Sequence, residues 1–152
     1  MSLTVGDQAP DFTLLSDLEQ AVTLSQLRGK KVLLYFYPKD HTPGCTKEAC
    51  DFRDSFAQLK QKNVLVFGIS KDSVKTHGKF REKYQLPFNL LVDANADVCA
   101  AYGVINKKSL FGKTFLGIQR STFLIDESGN ISAIWRKVKV TGHVEQILNE
   151  LN

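Results

Sequence analysis

The sequence predicts an α/β protein in which helices flank a central mixed sheet. Two near-continuous apolar stretches, residues 31–37 and 64–69, have the composition of strands buried on both faces. Segments with apolar residues at helical spacing separate such strands, and this alternation favours a mainly parallel sheet. The chain has 152 residues, of which 43% are hydrophobic, so we expect one domain spanning residues 1–152.

The first half of the chain is predicted to begin with a β-hairpin. Short β-prone runs at 12–15 and 21–24 flank a polar turn, and Ser25 is a candidate cap for one helical turn. After the strand at 31–37, two prolines and a glycine turn the chain into a long helix that ends at Asn63. One apolar face of this helix is formed by Cys45, Ala49, Phe52, Phe56 and Leu59.

The second half is predicted to alternate strands with helices and to close with a hairpin. Residues 104–117 are basic and show no regular period, so we expect a long irregular loop there, of the kind that often carries function. The other predicted elements are strands at 64–69, 89–92, 121–125 and 131–137, and helices at 72–84, 97–102 and 144–151.

Composition and charge exclude several classes of protein. Lys and Arg number 20 and Asp and Glu 16, and the resulting charge of +4 is too small and too scattered to indicate nucleic-acid binding. The N-terminus has no signal-peptide pattern, and no apolar run approaches the roughly 20 residues that span a membrane. Three cysteines are too few and odd in number for a disulfide-stapled secreted domain, so we expect a cytoplasmic protein.

Cys45 is the first candidate for chemistry because it lies in the first turn of the predicted long helix. Free backbone N–H groups and the helix dipole at such a position favour a thiolate. The alternative is a small buried apolar residue, where most free cysteines are found. Thr42 lies three residues earlier, so its hydroxyl either faces the sulfur and orients an oxygen-containing electrophile or caps the helix.

Cys50 follows five residues later, and its position raises a geometric problem. In an intact helix it would lie about 140° around the axis from Cys45 and about 7.5 Å along it. A disulfide usually needs Cα atoms within about 4.4–6.8 Å, so a direct bridge requires unwinding. Either Cys50 is an unrelated core residue, or the start of the helix melts after Cys45 is oxidised. Cys99, among small apolar residues, is predicted to be packed and inert.

Other candidate sites are weaker. Arg120, just before the strand at 121–125, is either a solvated surface residue or a cation that stabilises a thiolate and donates to a substrate oxygen. A metal site is disfavoured, because Cys-x₄-Cys departs from the Cys-x₂-Cys spacing and the three histidines show no paired spacing. The Cys-x-x-Cys pattern of a thioredoxin-type reductase is absent.

The run from Thr42 to Asp54, preceded by Pro38, resembles the active-site signature of the peroxiredoxins, and in particular of the bacterioferritin comigratory protein or peroxiredoxin Q subfamily. The resemblance extends over almost the whole chain. It includes the segments Ala9-Pro10-Asp11-Phe12, Gly68-Ile69-Ser70, Phe111-Gly112-Lys113 and Arg120-Ser121-Thr122-Phe123-Leu124-Ile125-Asp126.

This resemblance implies a thioredoxin-like fold with an N-terminal β-hairpin extension and a peroxidase that needs no metal, haem or flavin. Cys45 would attack hydrogen peroxide or an organic hydroperoxide, and Cys50 would resolve the sulfenic acid as an intramolecular disulfide. Pro38 would shield the pocket, Thr42 would hydrogen-bond the peroxide, and Arg120 would help to activate both the thiolate and the substrate. A thioredoxin or glutaredoxin would restore the thiols. Glu48 also matches the subfamily, with a solvated or capping carboxylate as the alternative.

Two rival functions and the oligomeric state stay open at the level of sequence. The same unwinding helix would suit a redox sensor or holdase that exposes apolar surface when it is oxidised. A structural protein with three unreactive thiols is the other alternative. No extra helix or tail indicates a dimer, so we expect a monomer or a weak homodimer.

Overall fold

A seven-stranded mixed sheet with helices on both faces forms the centre of the computed structural model, which describes residues 2–152. A single 3₁₀ turn spans Leu24–Leu27. The strands are β1 (Thr13–Ser16), β2 (Ala21–Thr23), β3 (Lys31–Phe36), β4 (Val64–Ser70), β5 (Asn89–Val92), β6 (Ile105–Leu110), β7 (Lys113–Ile118), β8 (Ser121–Ile125) and β9 (Ile131–Trp135). The helices are α1 (Pro43–Asp54), α2 (Phe56–Gln61), α3 (Val74–Tyr84), α4 (Asp97–Ala101) and α5 (His143–Leu151).

The strand order of the large sheet is β2-β1-β5-β4-β3-β8-β9. Strands β3, β4 and β5 run parallel to one another, while β1 pairs antiparallel with both β2 and β5, and β8 pairs antiparallel with both β3 and β9. The predicted mixed sheet and N-terminal hairpin are therefore confirmed. The expectation of a mainly parallel sheet is wrong, because the two hairpins, β1–β2 and β8–β9, both join the three parallel strands in antiparallel orientation.

Strand β3 is buried on both faces, as its composition predicts, and it divides two cores. Leu33 and Tyr35 point into a cluster with Phe52 of α1, Phe80 of α3 and Ile147 of α5. The alternate residues of β3 point into a second cluster, which contains Val32, Leu34, Phe36, Cys99 and Tyr102. The first cluster also contains Cys45, so α1 packs its first turn against the sheet.

Residues 104–117 are not the irregular loop that the sequence predicts. They contribute most of β6 and β7, which pair as a separate two-stranded sheet with Leu110 opposite Lys113. The turn residues Phe111 and Gly112 both have positive φ, 52° and 77°, which is the geometry of a tight hairpin turn. Large side chains rarely adopt it, so Phe-Gly gives a weak turn signal.

The long helix predicted from Cys45 to Asn63 is two helices. It starts earlier, at Pro43, and it breaks at Ser55, whose backbone (φ −105°, ψ 8°) is not helical. The last strand ends at Trp135, two residues before the predicted end. Among residues 2–152, no helix has the length and apolar character needed to cross a membrane.

Two glycines offer a test of the packing. A Cβ atom at Gly68, in β4, would lie 2.8 Å from the Tyr35 ring and 2.9 Å from Leu90. Gly68→Ala should therefore lower the free energy of unfolding by about 1–3 kcal/mol, measured by urea denaturation. At Gly78, in α3, a Cβ atom would meet nothing within 4 Å. Gly78→Ala should therefore raise the free energy of unfolding by about 0.5–1 kcal/mol. Equal stability of the two variants would contradict this packing.

Candidate active site

The first turn of α1 holds Cys45 where the sequence predicts it. Thr42 is the N-cap residue with extended backbone (φ −85°, ψ 153°), and Pro43 occupies the first helical position, where a missing N–H costs nothing. Cys45 is therefore the third helical residue, beside the free N–H groups of the helix start. Its side chain is only 1% exposed, because α1 lies on the sheet.

Arg120 contacts Cys45 although it lies far away in the sequence, just before β8. Ser121, the first residue of β8, pairs with Phe36 at the end of β3, so the residue before β8 lies beside the start of α1. Arg120 Nη2 donates to Cys45 Sγ at 3.4 Å, and Nη1 donates to Glu48 Oε1 at 2.7 Å. Gly44 permits this approach, since a Cβ atom there would lie 3.2 Å from Nη2.

Glu48 is a buried carboxyl group, neither solvated nor a helix cap. It is 1% exposed, and one of its oxygens, Oε2, has no hydrogen-bond partner among the described residues. Burial raises the pKa of Glu48 from 4.5 to about 7, although Arg120 acts in the opposite direction. Burial disfavours the charge of Arg120, yet Glu48 and Cys45 raise the pKa of the guanidinium above its ordinary value.

Thr42 and Pro38 lie on the segment that precedes α1. The Thr42 hydroxyl donates to the Lys39 carbonyl at 2.8 Å and makes no side-chain cap bond to the helix. The Thr42 hydroxyl oxygen can therefore accept a hydrogen bond from another group. Pro38 is half-buried and lines a cavity of about 400 Å³ with Phe115, Leu116 and other residues of the β6–β7 hairpin.

The other two cysteines differ in their surroundings. All three are free thiols. Cys50 lies in α1 and is partly exposed, and burial raises its pKa, with Asp54 and Asp51 acting in the same direction and Arg53 opposing. Cys99 in α4 is fully buried, and burial together with Asp93 raises its pKa, in keeping with the packed thiol that the sequence predicts.

Three polar residues near this site escape sequence reasoning: Tyr37, Asp40 and His77. Asp40 Oδ2 lies 2.6 Å from His77 Nδ1, and Asp40 Oδ1 accepts a hydrogen bond from Tyr37 Oη at 2.5 Å. The only signal in the sequence is His77 on the apolar face of α3, three residues before Phe80. Asp40, Asp72 and His77 form the one group of potential metal ligands in residues 2–152, but a 2.6 Å contact is a hydrogen bond and leaves no room for an ion.

The fold and the site together define a class: a thiol-dependent oxidoreductase with a thioredoxin-like sheet and a reactive-cysteine position at a helix start. Comparison with known proteins makes this specific. The AhpC/TSA family profile matches residues 5–134. Curated relatives include the putative peroxiredoxin bcp of Coxiella burnetii, 58% identical over 99% of this chain and 100% of the relative, and peroxiredoxin Bcp of Bacillus subtilis, 50% identical over 99% and 96%.

Solved structures agree with these relatives. A cysteine-to-serine mutant of Xylella fastidiosa PrxQ superposes with a TM-score of 0.93 at 39% identity, covering 99% of this chain and 96% of that one. The bacterioferritin comigratory protein of Xanthomonas campestris, described from trapped intermediate and ligand complexes for its alkyl peroxide reduction, gives 0.88 at 39% identity over 92% and 89%. The chain belongs to the AhpC/TSA family, among its Bcp or peroxiredoxin Q members. It is a thiol peroxidase of the thioredoxin-like fold.

The buried carboxyl of Glu48 predicts a pH-dependent stability. Between pH 4.5 and about 7 the folded protein keeps a proton that the unfolded chain has lost, so the free energy of unfolding should fall as the pH rises through this window. The rise in pKa from 4.5 to about 7 corresponds to about 3 kcal/mol. Glu48→Gln should remove this slope in denaturation experiments at several pH values. The exposed Glu82→Gln is the control, and a slope unchanged in Glu48→Gln would refute the assignment.

Proposed function

We propose that Cys45 is the peroxidatic cysteine and that Arg120 activates it. The observation that carries this proposal is the single guanidinium that donates to both Cys45 Sγ and Glu48 Oε1 inside the protein. A guanidinium within hydrogen-bond distance stabilises a thiolate and can donate to a substrate oxygen at the same time. Backbone N–H groups at the start of α1 favour the same anion.

The first step transfers one oxygen atom to the sulfur. The Cys45 thiolate attacks the nearer oxygen of the hydroperoxide, the O–O bond breaks, and the leaving alkoxide takes a proton to become an alcohol, or water from hydrogen peroxide. Cys45 is oxidised to sulfenic acid. The Thr42 hydroxyl donates its hydrogen bond to the Lys39 carbonyl, so its oxygen accepts a hydrogen bond from the O–H of the peroxide, while Arg120 donates to the oxygen under attack.

The second step joins Cys45 to Cys50. The Cys50 thiol attacks the sulfenic acid, a disulfide forms and water leaves. Both residues lie within α1, and five residues of intact helix separate their Cα atoms too far for a bridge. The start of α1 therefore unwinds before the bond forms. This unwinding also brings the sulfur of Cys45, 1% exposed in the folded helix, out to a reductant.

The substrates that we propose are hydrogen peroxide and organic hydroperoxides, including alkyl peroxides. The cavity beside Pro38 has one apolar side formed by Phe115, Leu116 and Ile118, whereas Lys39, Lys71, Asp72 and Lys108 line the rest. Its volume of about 400 Å³ suits the organic part of such a molecule. The alkyl peroxide activity of the Xanthomonas campestris relative supports the same substrate class.

The reductant that we propose is a thioredoxin or glutaredoxin, because a surface disulfide formed by unwinding is accessible to thiol exchange. Such reductants act in the cytoplasm, where three free thiols are also expected to persist. The residues of the proposed site, Pro38, Thr42, Cys45, Cys50 and Arg120, all belong to this chain, so one chain can carry out the two steps, and we propose a monomer or a weak homodimer.

Cysteine variants test these roles one at a time. Cys45→Ser should abolish peroxide turnover. Cys50→Ser should still consume about one equivalent of peroxide and then stop with Cys45 as sulfenic acid, because no resolving thiol remains. Cys99→Ser, the matched control, should turn over at the native rate. Peroxide consumption with a thioredoxin system and mass spectrometry of the thiols measure all three, and native turnover by Cys45→Ser would overturn the assignment.

The substrate cavity predicts a selective effect on organic hydroperoxides. Leu116→Glu places a carboxylate in the apolar wall and should slow the reaction with cumene hydroperoxide by about tenfold while hydrogen peroxide reacts nearly as before. Leu110→Glu is the matched control, since Leu110 is similarly exposed (57% against 60%) but lies at the far end of the hairpin. Equal loss for both peroxides, or for both variants, would show that this cavity does not bind the organic group.

A further inference from the structure

The segment that links β3 to α1 is fixed at its middle by a buried aspartate. Asp40 is 3% exposed, although the residues on either side of it are exposed. Its carboxyl group accepts from Tyr37 Oη and contacts His77 Nδ1, and its backbone N–H donates to Asp72 Oδ2 at 2.8 Å. Asp40 lies two residues after Pro38 and two before Thr42, so both of these positions depend on where it is held.

His77 connects this aspartate to two further elements. It is fully buried in α3, and its Nε2 atom lies 2.9 Å from the Leu91 carbonyl in β5. A carbonyl oxygen only accepts, so Nε2 carries a proton. The 2.6 Å contact on the other side then requires one proton between His77 Nδ1 and Asp40 Oδ2. The pair is satisfied at both ring nitrogens, which fixes the histidine and the aspartate relative to β5.

Neither group reaches the reacting atoms. The hydrogen bonds of Cys45 and Glu48 go to Arg120, whereas those of Asp40 and His77 go to Tyr37, Asp72 and Leu91. A buried charged or hydrogen-bonded pair is costly unless its geometry is kept, so it holds its backbone in one place. The network therefore acts on the site through the backbone of residues 38–42.

We propose that Asp40 and His77 are positioning residues that hold Pro38 and Thr42 for the peroxide step, an inference that rests on the proposed function. In the second step α1 unwinds from its start, next to this segment. The pair anchors the chain on the upstream side of the unwinding helix, so that Pro38 and Thr42 keep their places. Loss of the pair slows the attack on peroxide and leaves the condensation of Cys50 with the sulfenic acid nearly unchanged.

Two substitutions at one position separate geometry from charge. Asparagine keeps the hydrogen bonds, because its oxygen accepts from Tyr37 Oη and its amide donates to a neutral His77 Nδ1. Alanine removes them. Asp93→Ala is the matched control, since Asp93 is also buried (2%) and accepts two backbone N–H bonds, but at the start of α4. Tyr37→Phe, which removes the hydroxyl contacts to Asp40 and His77 and keeps the ring, serves if Asp40→Ala does not fold.

The measurement is single-turnover kinetics with hydrogen peroxide. Peroxide loss reports the first step, and acid quenching at set times followed by mass spectrometry of the Cys45–Cys50 disulfide reports the second. Asp40→Ala should slow the first step by about tenfold to a hundredfold, the cost of a misplaced binding group, while the second changes by less than about twofold. Asp40→Asn should stay within about threefold of the native rate, and Tyr37→Phe should fall between the two.

Several results would overturn the proposal. A first step in Asp40→Ala that is native, or that is slowed no more than in an equally destabilised Asp93→Ala, would show a purely structural role. If Asp40→Asn folds but its first step is as slow as that of Asp40→Ala, the charge of Asp40 is what matters, and the positioning role is refuted. Turnover that survives in Cys45→Ser would instead overturn the proposed function, so the two failures are distinguishable.

Discussion

The hydrogen bonds of one guanidinium connect the chemistry of this protein to its fold. Arg120 donates to the sulfur of Cys45 and to the carboxyl of Glu48, one helical turn further along α1. Both acceptors are 1% exposed, so each would be costly to bury without this partner. In the proposed mechanism the same two bonds stabilise the anionic sulfur and hold the first turn of α1 against the sheet. The reactive state and the folded state of the helix are therefore stabilised by the same contact.

In the proposed mechanism this shared contact gives oxidation a structural consequence. A thiolate bonded to a guanidinium has a charge-assisted hydrogen bond, whereas a sulfenic acid is neutral and bonds more weakly. Once the sulfur is oxidised, Arg120 loses its bond to an anionic sulfur and keeps only its bond to Glu48, so the first turn of α1 is held less firmly. The unwinding that Cys50 requires thus becomes less costly after the peroxide has reacted. If α1 unwound as easily before oxidation, Cys45 and Arg120 would not stay together for the reaction with peroxide.

The sequence predicts those parts of the structure that depend on residues close together in the chain. The strand, the Pro-Gly turn and the helix start around Cys45 lie within about fifteen consecutive residues, so the position of this thiol was predictable. The role of Arg120 follows only from resemblance, because its contact with Cys45, 75 positions away in the sequence, depends on the register of β8 against β3. Glu48 and Asp40 were not recognised as buried, since carboxylates are usually exposed and only tertiary contacts reveal the exceptions. The β6–β7 hairpin was missed because its turn uses Phe111 with positive φ.

The break at Ser55, which the sequence did not indicate, bears on how far α1 unwinds. It separates α1 from α2, so a change in the first helix need not propagate into the second. Towards that break, Phe52 is fully buried and stacks on Tyr35 at 4.6 Å, and Arg53 Nη1 donates to the Tyr84 carbonyl at 2.8 Å. These contacts belong to the part of the helix after Cys50, and none of them involves Arg120. Weakening the bond between Arg120 and Cys45 therefore loosens the start of α1 while its end stays anchored. In the proposed mechanism, unwinding from Pro43 to about Cys50 is enough to bring the two sulfurs together, and the packing of Phe52 sets its limit.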